Sequence, residues 1–143
     1  MEWSVLDPEV AGGWGERTVA DTSVHPPLVA ALHYQFDGWL GDELLTSFPC
    51  YIVTRTLGDK LTEARLNGFQ LASVEISVSE QFEEIYPGRR LPEFYWLQVV
   101  GSPGIDDFGI SRRHSLVVSD RTLAVLQTGQ LRQCGVKTWR QRA

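Results

Sequence analysis

The apolar residues of the chain change period in an order that marks elements. Tyr51-Ile52-Val53 is a short continuous apolar run after Pro49, which reads as a buried strand, and Thr54 behind it can cap a helix. Leu57, Leu61 and Leu66 then fall on one helical face, and Asn67-Gly68 supplies a helix stop. Phe69, Leu71, Val74, Ile76 and Val78 alternate as a strand does. Ser79 to Tyr86 reads as a short helix, with Ser79 as cap and Phe82 and Ile85 turned inward, broken by Pro87-Gly88-Arg89-Arg90. Phe94 to Val100, rich in aromatic and β-branched residues, is the most strand-like run of the sequence. Leu116 opens another strand, Ser119 caps a helix carried by Leu123 and Leu126, and Gln130 to Trp139 closes the fold.

The N-terminal third is patterned less clearly. Glu2 to Leu6 reads as a short strand ended by Asp7-Pro8, and Ala11 to Val24 as loop, with Gly12-Gly13-Trp14-Gly15 forming a turn. Pro26-Pro27 excludes helix, and Leu28 to Phe36 predicts one strand followed by an Asp37-Gly38 turn. Leu40 to Phe48 predicts a helical turn, with Asp42 and Glu43 suited to its N-terminus and Pro49 closing it. Gly101 to Arg113 reads as loop, and Arg140 to Ala143 is expected to fray.

Two of these stretches echo each other. Moving the numbering by 65 sets Ile52, Val53 and Thr54 on Val117, Val118 and Ser119, then Leu61 on Leu126, Leu66 on Leu131, Phe69 on Cys134 and Leu71 on Val136. Strand, cap, helix, break and strand recur in both, at about residues 50–78 and 115–139. Either the chain contains an internal pseudo-repeat or two similar units share a common pattern by chance. Strands alternating with two or three modest helices predict an α+β, mixed α/β fold, one domain over residues 1–143 with a mixed sheet.

Composition sharpens this only in places. Apolar residues are 43% and charged residues 22% of 143, ordinary for a globular domain able to bury a core without metal or disulfide. No apolar run approaches the ~20 residues of a membrane span, and Glu2 and Asp7 stand where a signal peptide would be basic and apolar. A cytoplasmic location follows as the expectation. Cys50 and Cys134 are then read as reduced, and Cys134, in the place of Phe69, as a small buried hydrophobe. The charge of −5 is uneven: residues 1–50 carry eight acids against Arg17 alone, a net of −7, and residues 111–143 sum to +6. Such asymmetry bears on partners and encounter rates.

Local chemistry gives little. Asp107-Phe108-Gly109 matches the metal-binding tripeptide of protein kinases, but the motifs that must accompany it are missing, so it reads as a chance match. His25, His33 and His114 are scattered and neither cysteine belongs to a Cys-x-x-Cys pair, so neither metal nor cofactor is expected. Cys50 with His33 or His114 is the one nucleophile and base that can be written down. Asp106-Asp107 and Glu83-Glu84 are adjacent acids that point to different faces. The C-terminal arginines could meet phosphates, but pairing with the acidic first third is the simpler use for them. What stands out is the acidic, tryptophan-bearing segment, with Trp14 beside Glu16, and Trp39 beside Asp37, Asp42 and Glu43. Aromatics in an acidic rim suit a basic protein partner.

The runs HYQFDGWLGDELLTSFPCYIVTRTL, LNGFQLASVEIS, LPEFYWLQVVG, DDFG and LVVSDRTLAVL resemble a group of small uncharacterised bacterial proteins, from about Pro8 to Trp139. That group is similar to immunity proteins of polymorphic toxin systems, among them a myxobacterial set named for a double Cys-x-x-Cys-Gly motif. This chain has no Cys-x-x-Cys-Gly, so a zinc knuckle is not carried over. The resemblance implies a non-enzymatic immunity protein that neutralises a cognate bacterial toxin; the acidic, aromatic segment makes a basic toxin the expected partner, with Trp14, Glu16, Asp37, Trp39, Asp42 and Glu43 as candidate partner-binding residues. The alternative is a small enzyme or ligand-binding domain with a site near Cys50, His33 and the 101–113 loop. A nucleic-acid binder using the C-terminal arginines is the third reading.

Overall fold

Strand β7 (Cys50–Thr54) is buried along its whole length, and it is where the layers of the protein meet. In a computed structural model that describes residues 2–140, its side chains alternate between two cores. Tyr51 and Val53 enter one cluster, with Leu57, Leu61, Leu97 and Leu126, while Cys50 and Ile52 enter another, with Tyr34, Phe36, Phe82 and Trp96. Period-two alternation thus gives both faces of one strand to apolar packing.

Thirteen strands and three helices form the described chain: β1 (Trp3–Asp7), β2 (Gly12–Trp14), β3 (Val19–Asp21), β4 (Leu28–Ala31), β5 (His33–Phe36), β6 (Leu44–Ser47), β7, α1 (Arg55–Glu63), β8 (Phe69–Ala72), β9 (Glu75–Val78), α2 (Glu80–Ile85), β10 (Phe94–Val99), β11 (Phe108–Ile110), β12 (Leu116–Ser119), α3 (Asp120–Leu126) and β13 (Gly135–Trp139). The fold is mixed α+β. No helix among the described residues is long and apolar enough to cross a membrane.

Two four-stranded sheets, ordered β6-β7-β10-β8 and β11-β12-β1-β13, share the first core. The two sheets are built alike. In each, the strand before the helix and the strand after it flank a third strand antiparallel to both, and the registers agree. Tyr51 and Leu71 lie opposite Leu97, as Leu116 and Val136 lie opposite Leu6; Ile52 and Ala72 lie opposite Trp96, as Val117 and Lys137 lie opposite Val5. Each of these pairs keeps the displacement of 65 seen in the sequence. Thr54 and Ser119 both cap, accepting the N–H of Leu57 and Thr122. Helices α1 and α3 pack on each other over the shared core. The third strand differs in origin, since β10 follows the first unit whereas β1 comes from the far end of the chain.

A further layer, β2-β5-β9 with α2 and the two-stranded β3-β4 ribbon, covers the outer face of β7 and β10. Here the sequence misleads. Gly12–Trp14 is a strand rather than a turn, and glycine is required because a Cβ on Gly12 would lie 1.8 Å from the Gln35 carbonyl oxygen. Leu28 to Phe36 splits at Leu32 into two strands of different sheets, and Phe69 to Val78 splits likewise. Leu44–Ser47 is a strand where a helical turn was expected, because it pairs with β7 and bridges Glu9. The 101–113 loop contains β11, paired to β12. Ile85 is exposed, and Phe82 alone anchors α2. The expected fraying of Arg140 to Ala143 falls mostly on residues 141–143, outside the described ones.

Candidate partner-binding surface

The six residues singled out in the acidic third have unlike fates. Asp42 is fully buried: Oδ1 accepts the N–H of Arg132 at 2.9 Å and Oδ2 that of Gln133 at 2.7 Å. Glu43 is half-buried, with Oε1 accepting the Thr54 hydroxyl at 2.8 Å and Oε2 the Gln130 N–H at 2.6 Å. Glu9, also buried, takes the N–H of Leu40 and of Asp42. None of these acids caps a helix. They satisfy main-chain donors of two turns, a role that needs fixed carboxylates and leaves them unable to form a surface rim. The acidic third therefore does meet the basic tail, but through backbone N–H groups; no ion pair between the two segments occurs among the described residues.

Trp14 is half-buried against the second core, and its indole N–H is buried without a conventional acceptor, facing the weakly accepting Cys50 thiol. It packs rather than presents. Glu16 is exposed on the turn that His33 holds. Glu16 lies beyond the His33 end of β5 and Asp37 beyond its Phe36 end, ~13 Å of strand apart, so the structure does not unite them.

What it does unite is the Asp37–Leu40 turn with α2. The Asp37 and Gly38 N–H groups donate to Ala11 O, and the Ser79 N–H donates to Phe36 O, setting the start of α2 beside Asp37. Trp39 packs edge-on against Phe36 and Phe94, at 6.2 Å from each, and its indole N–H donates to Asp42 O at 2.9 Å. The Arg89 guanidinium lies 4.5 Å from the Trp39 ring and 4.8 Å from the Tyr86 ring, and donates to Trp39 O. Such a cation–π stack fixes side chains that would otherwise be mobile. On the same turn and helix Asp37, Glu80, Glu83 and Glu84 are exposed, with Leu40 at 62% and Ile85 at 53% exposure as apolar points. Tyr86, Arg89 and α2 could not be assigned to this surface from sequence, since only β5–β9 pairing brings them to Trp39.

The alternative chemistry is engaged otherwise. Burial pushes the Cys50 and Cys134 thiols up to about 11, and both are free. His33 Nδ1 accepts the Arg17 N–H at 3.1 Å, so Nε2 carries the proton and donates to Ser77 Oγ at 2.7 Å. An imidazole committed in this way does not draw a proton from Ser77. The 101–113 loop turns to the other sheet, where Asp107 binds Ser119, Asn67 and Arg121 and the Trp3 indole donates to Asp106 O. At its far end His114 packs edge-on to His25, 5.4 Å away, and to Phe48. Among the described residues no three His, Cys, Asp or Glu gather as metal ligands. Of the C-terminal bases, Arg121 is spent on Asp107, while Arg112, Arg113, Arg132 and Lys137 are exposed, and Arg142 falls outside the described residues. No protein family, curated protein or solved structure matches the chain.

Proposed function

We propose that this chain is an immunity-type inhibitor that works in the cytoplasm, binding and neutralising a cognate basic protein toxin through the Asp37–Leu40 turn and α2. The observation that carries this is the Trp39–Arg89–Tyr86 stack. It is a pre-ordered aromatic surface, fastened from beneath by Glu9 and Trp39's own bond to Asp42 O, and the elements that build it, the Asp37–Leu40 turn and α2, carry exposed acids. Aromatic anchors held rigid before binding lose little entropy on association, and the acids around them steer a basic partner in. The proposed surface takes Asp37 and Trp39, with the Asp42 carbonyl holding the Trp39 indole from inside.

The test is co-expression with toxin domains encoded beside this gene, scored by rescue of growth and by complex formation. Neutralisation by the wild type is expected, together with at least a tenfold loss of affinity in Leu40→Asp. Asp37→Arg with Glu84→Arg should slow association at low salt and leave dissociation nearly unchanged. Failure of every neighbouring toxin domain to bind, or full neutralisation by all three substitutions combined, would remove the support for this reading.

A further inference from the structure

The strand registers fix which way the main chain of β13 turns. The Asp120 N–H donates to Glu2 O, so in the antiparallel pair of β1 with β12 the even residues of β1 exchange bonds with β12. The odd ones, Trp3, Val5 and Asp7, turn to β13, where they meet Trp139, Lys137 and Gly135. Val136 and Thr138 therefore direct their N–H and C=O groups away from β1, to the side where the sheet ends. The same reckoning makes Thr46 and Phe108 the outward residues at the β6 and β11 ends of the two large sheets, and there each N–H has a partner, Glu9 O at 3.0 Å and Asn67 O at 3.2 Å. Those two edges are closed by the chain itself. The β13 edge is open: among the described residues no other segment's backbone bonds Val136 or Thr138 from outside, and Gly135 to Thr138 are all exposed. An exposed edge of this kind is a template for one more strand.

The charges along the strand select its occupant. Lys137 stands at the centre of β13, with Arg132 before it and Arg140 after it; all three are exposed, and none is ion-paired among the described residues. Asp7 lies across β13 from the open edge. A second copy of this chain is disfavoured, because the antiparallel register that uses Val136 and Thr138 of both copies sets the two Lys137 side chains directly opposite each other, a destabilising like-charge pair. A strand with a carboxylate at that place meets Lys137 with the opposite charge.

We propose that the free edge of β13 receives an extended, acidic segment of a partner protein as an added strand, bonded to the main chain of Val136 and Thr138 and paired in charge with Lys137. The site uses none of the residues of the Trp39 surface and stands whether or not that surface binds a toxin. Random twelve-residue peptides displayed on phage and selected on the wild-type protein test it, the most enriched one being synthesised and titrated by fluorescence anisotropy. That peptide should be net acidic and should bind at least tenfold more weakly to Lys137→Glu, a change at an exposed position. Thr138→Pro removes an outward N–H and spares the bonds of Lys137 and Trp139 to β1, so it should abolish binding, while Leu40→Asp leaves it unchanged. Amide exchange in the free wild type should be fast at Val136 and Thr138 and slow at Lys137. In the complex the first two should slow by more than about tenfold, a readout that holds even if Thr138→Pro loses its native circular dichroism. Absence of any enriched peptide, enrichment of peptides without net acid, full affinity in Lys137→Glu, or protection of Val136 and Thr138 by dimers of the free protein would overturn the proposal.

Discussion

Glu43 and Asp107 hold the same post in the two halves of the molecule. Each carboxylate accepts the hydroxyl of its own unit's helix cap, Thr54 at 2.8 Å and Ser119 at 2.7 Å, and a backbone N–H from the turn after the other unit's helix, Gln130 at 2.6 Å and Asn67 at 3.0 Å. The main chain repeats the exchange, with Glu43 N–H donating to Gln130 O and Phe108 N–H to Asn67 O. Two crossed clasps therefore lock the units together around the α1–α3 contact. At Gly68, where φ is +86°, a Cβ would lie 2.4 Å from Phe108 O, so the second clasp also demands glycine.

The inward acids should govern stability rather than association. Asp42→Asn places an amide N–H against one of two main-chain donors and leaves a buried donor unsatisfied, which costs about 1–3 kcal/mol. Tm should fall by roughly 5–10 °C. Glu43→Gln should behave similarly, whereas Asp37→Asn, at an exposed position, should melt within about 2 °C of wild type. A wild-type melting curve for Asp42→Asn would show that these bonds carry no weight.

Asp107 should make stability depend on pH in one direction. Burial raises its pKa, but hydrogen bonds from Arg121, Ser119 and the Asn67 N–H outweigh burial, so its carboxyl sits below the ordinary value of 3.8. A depressed folded-state pKa gives stability that is fully present above the unfolded value, ~3.9, and lost as pH falls through the folded one. The urea midpoint of wild type should exceed that of Asp107→Asn most at pH 6, and the difference should shrink below about pH 4. A difference that stays constant from pH 6 to pH 2.5 would rule out the linkage.

The thiols should be inert in the native state. With both pushed up to about 11, on the order of 0.1% is thiolate at pH 8, and Cys50 is also only 4% exposed. Reaction with a chromogenic disulfide should be slower than that of the urea-unfolded chain by at least a hundredfold. Rapid native labelling at Cys50 would instead revive a catalytic role for that residue.

Legibility of the fold followed the energetics. Elements whose identity rests on local terms could be read: the Thr54 and Ser119 caps, Leu57 and Leu61 on the buried face of α1 (Leu66 lies beyond its end), the aromatic and β-branched run of β10 and the 65-residue echo. Elements defined by a distant neighbour could not. Gly12–Trp14 is a strand only because Phe36 to Tyr34 lie beside it, and no side-chain pattern records that pairing. Asp42 and Glu43 carry a real signal, acids placed to accept N–H groups, but the donors lie some ninety residues away at Gln130, Arg132 and Gln133, so from local sequence the pair reads as a helix start. The Trp39–Arg89–Tyr86 stack was hidden for the same reason, since Tyr86 and Arg89 reach Trp39 only through the β5–β9 pairing.

The matching registers of the two sheets lead to a test of how the units are joined. In the first unit β8 leads, through residues 73–93, to the antiparallel β10; in the second the equivalent of β10 is β1, whose Trp3 lies opposite Trp139 of β13. Residues directly opposite in an antiparallel pair are ~5 Å apart, so a short linker from Arg140 to Glu2 would span the join. A circular permutant closed there and opened in the exposed Pro87-Gly88 turn would give the second unit the chain order of the first. It should fold to the native circular dichroism and unfold within about 2 kcal/mol of wild type, because every strand pair and both clasps survive. Deleting residues 2–7 instead removes the strand between β12 and β13 and should abolish cooperative unfolding. A permutant that fails to fold, or a deletion that melts cooperatively, would mean that the two units do not build equivalent sheets.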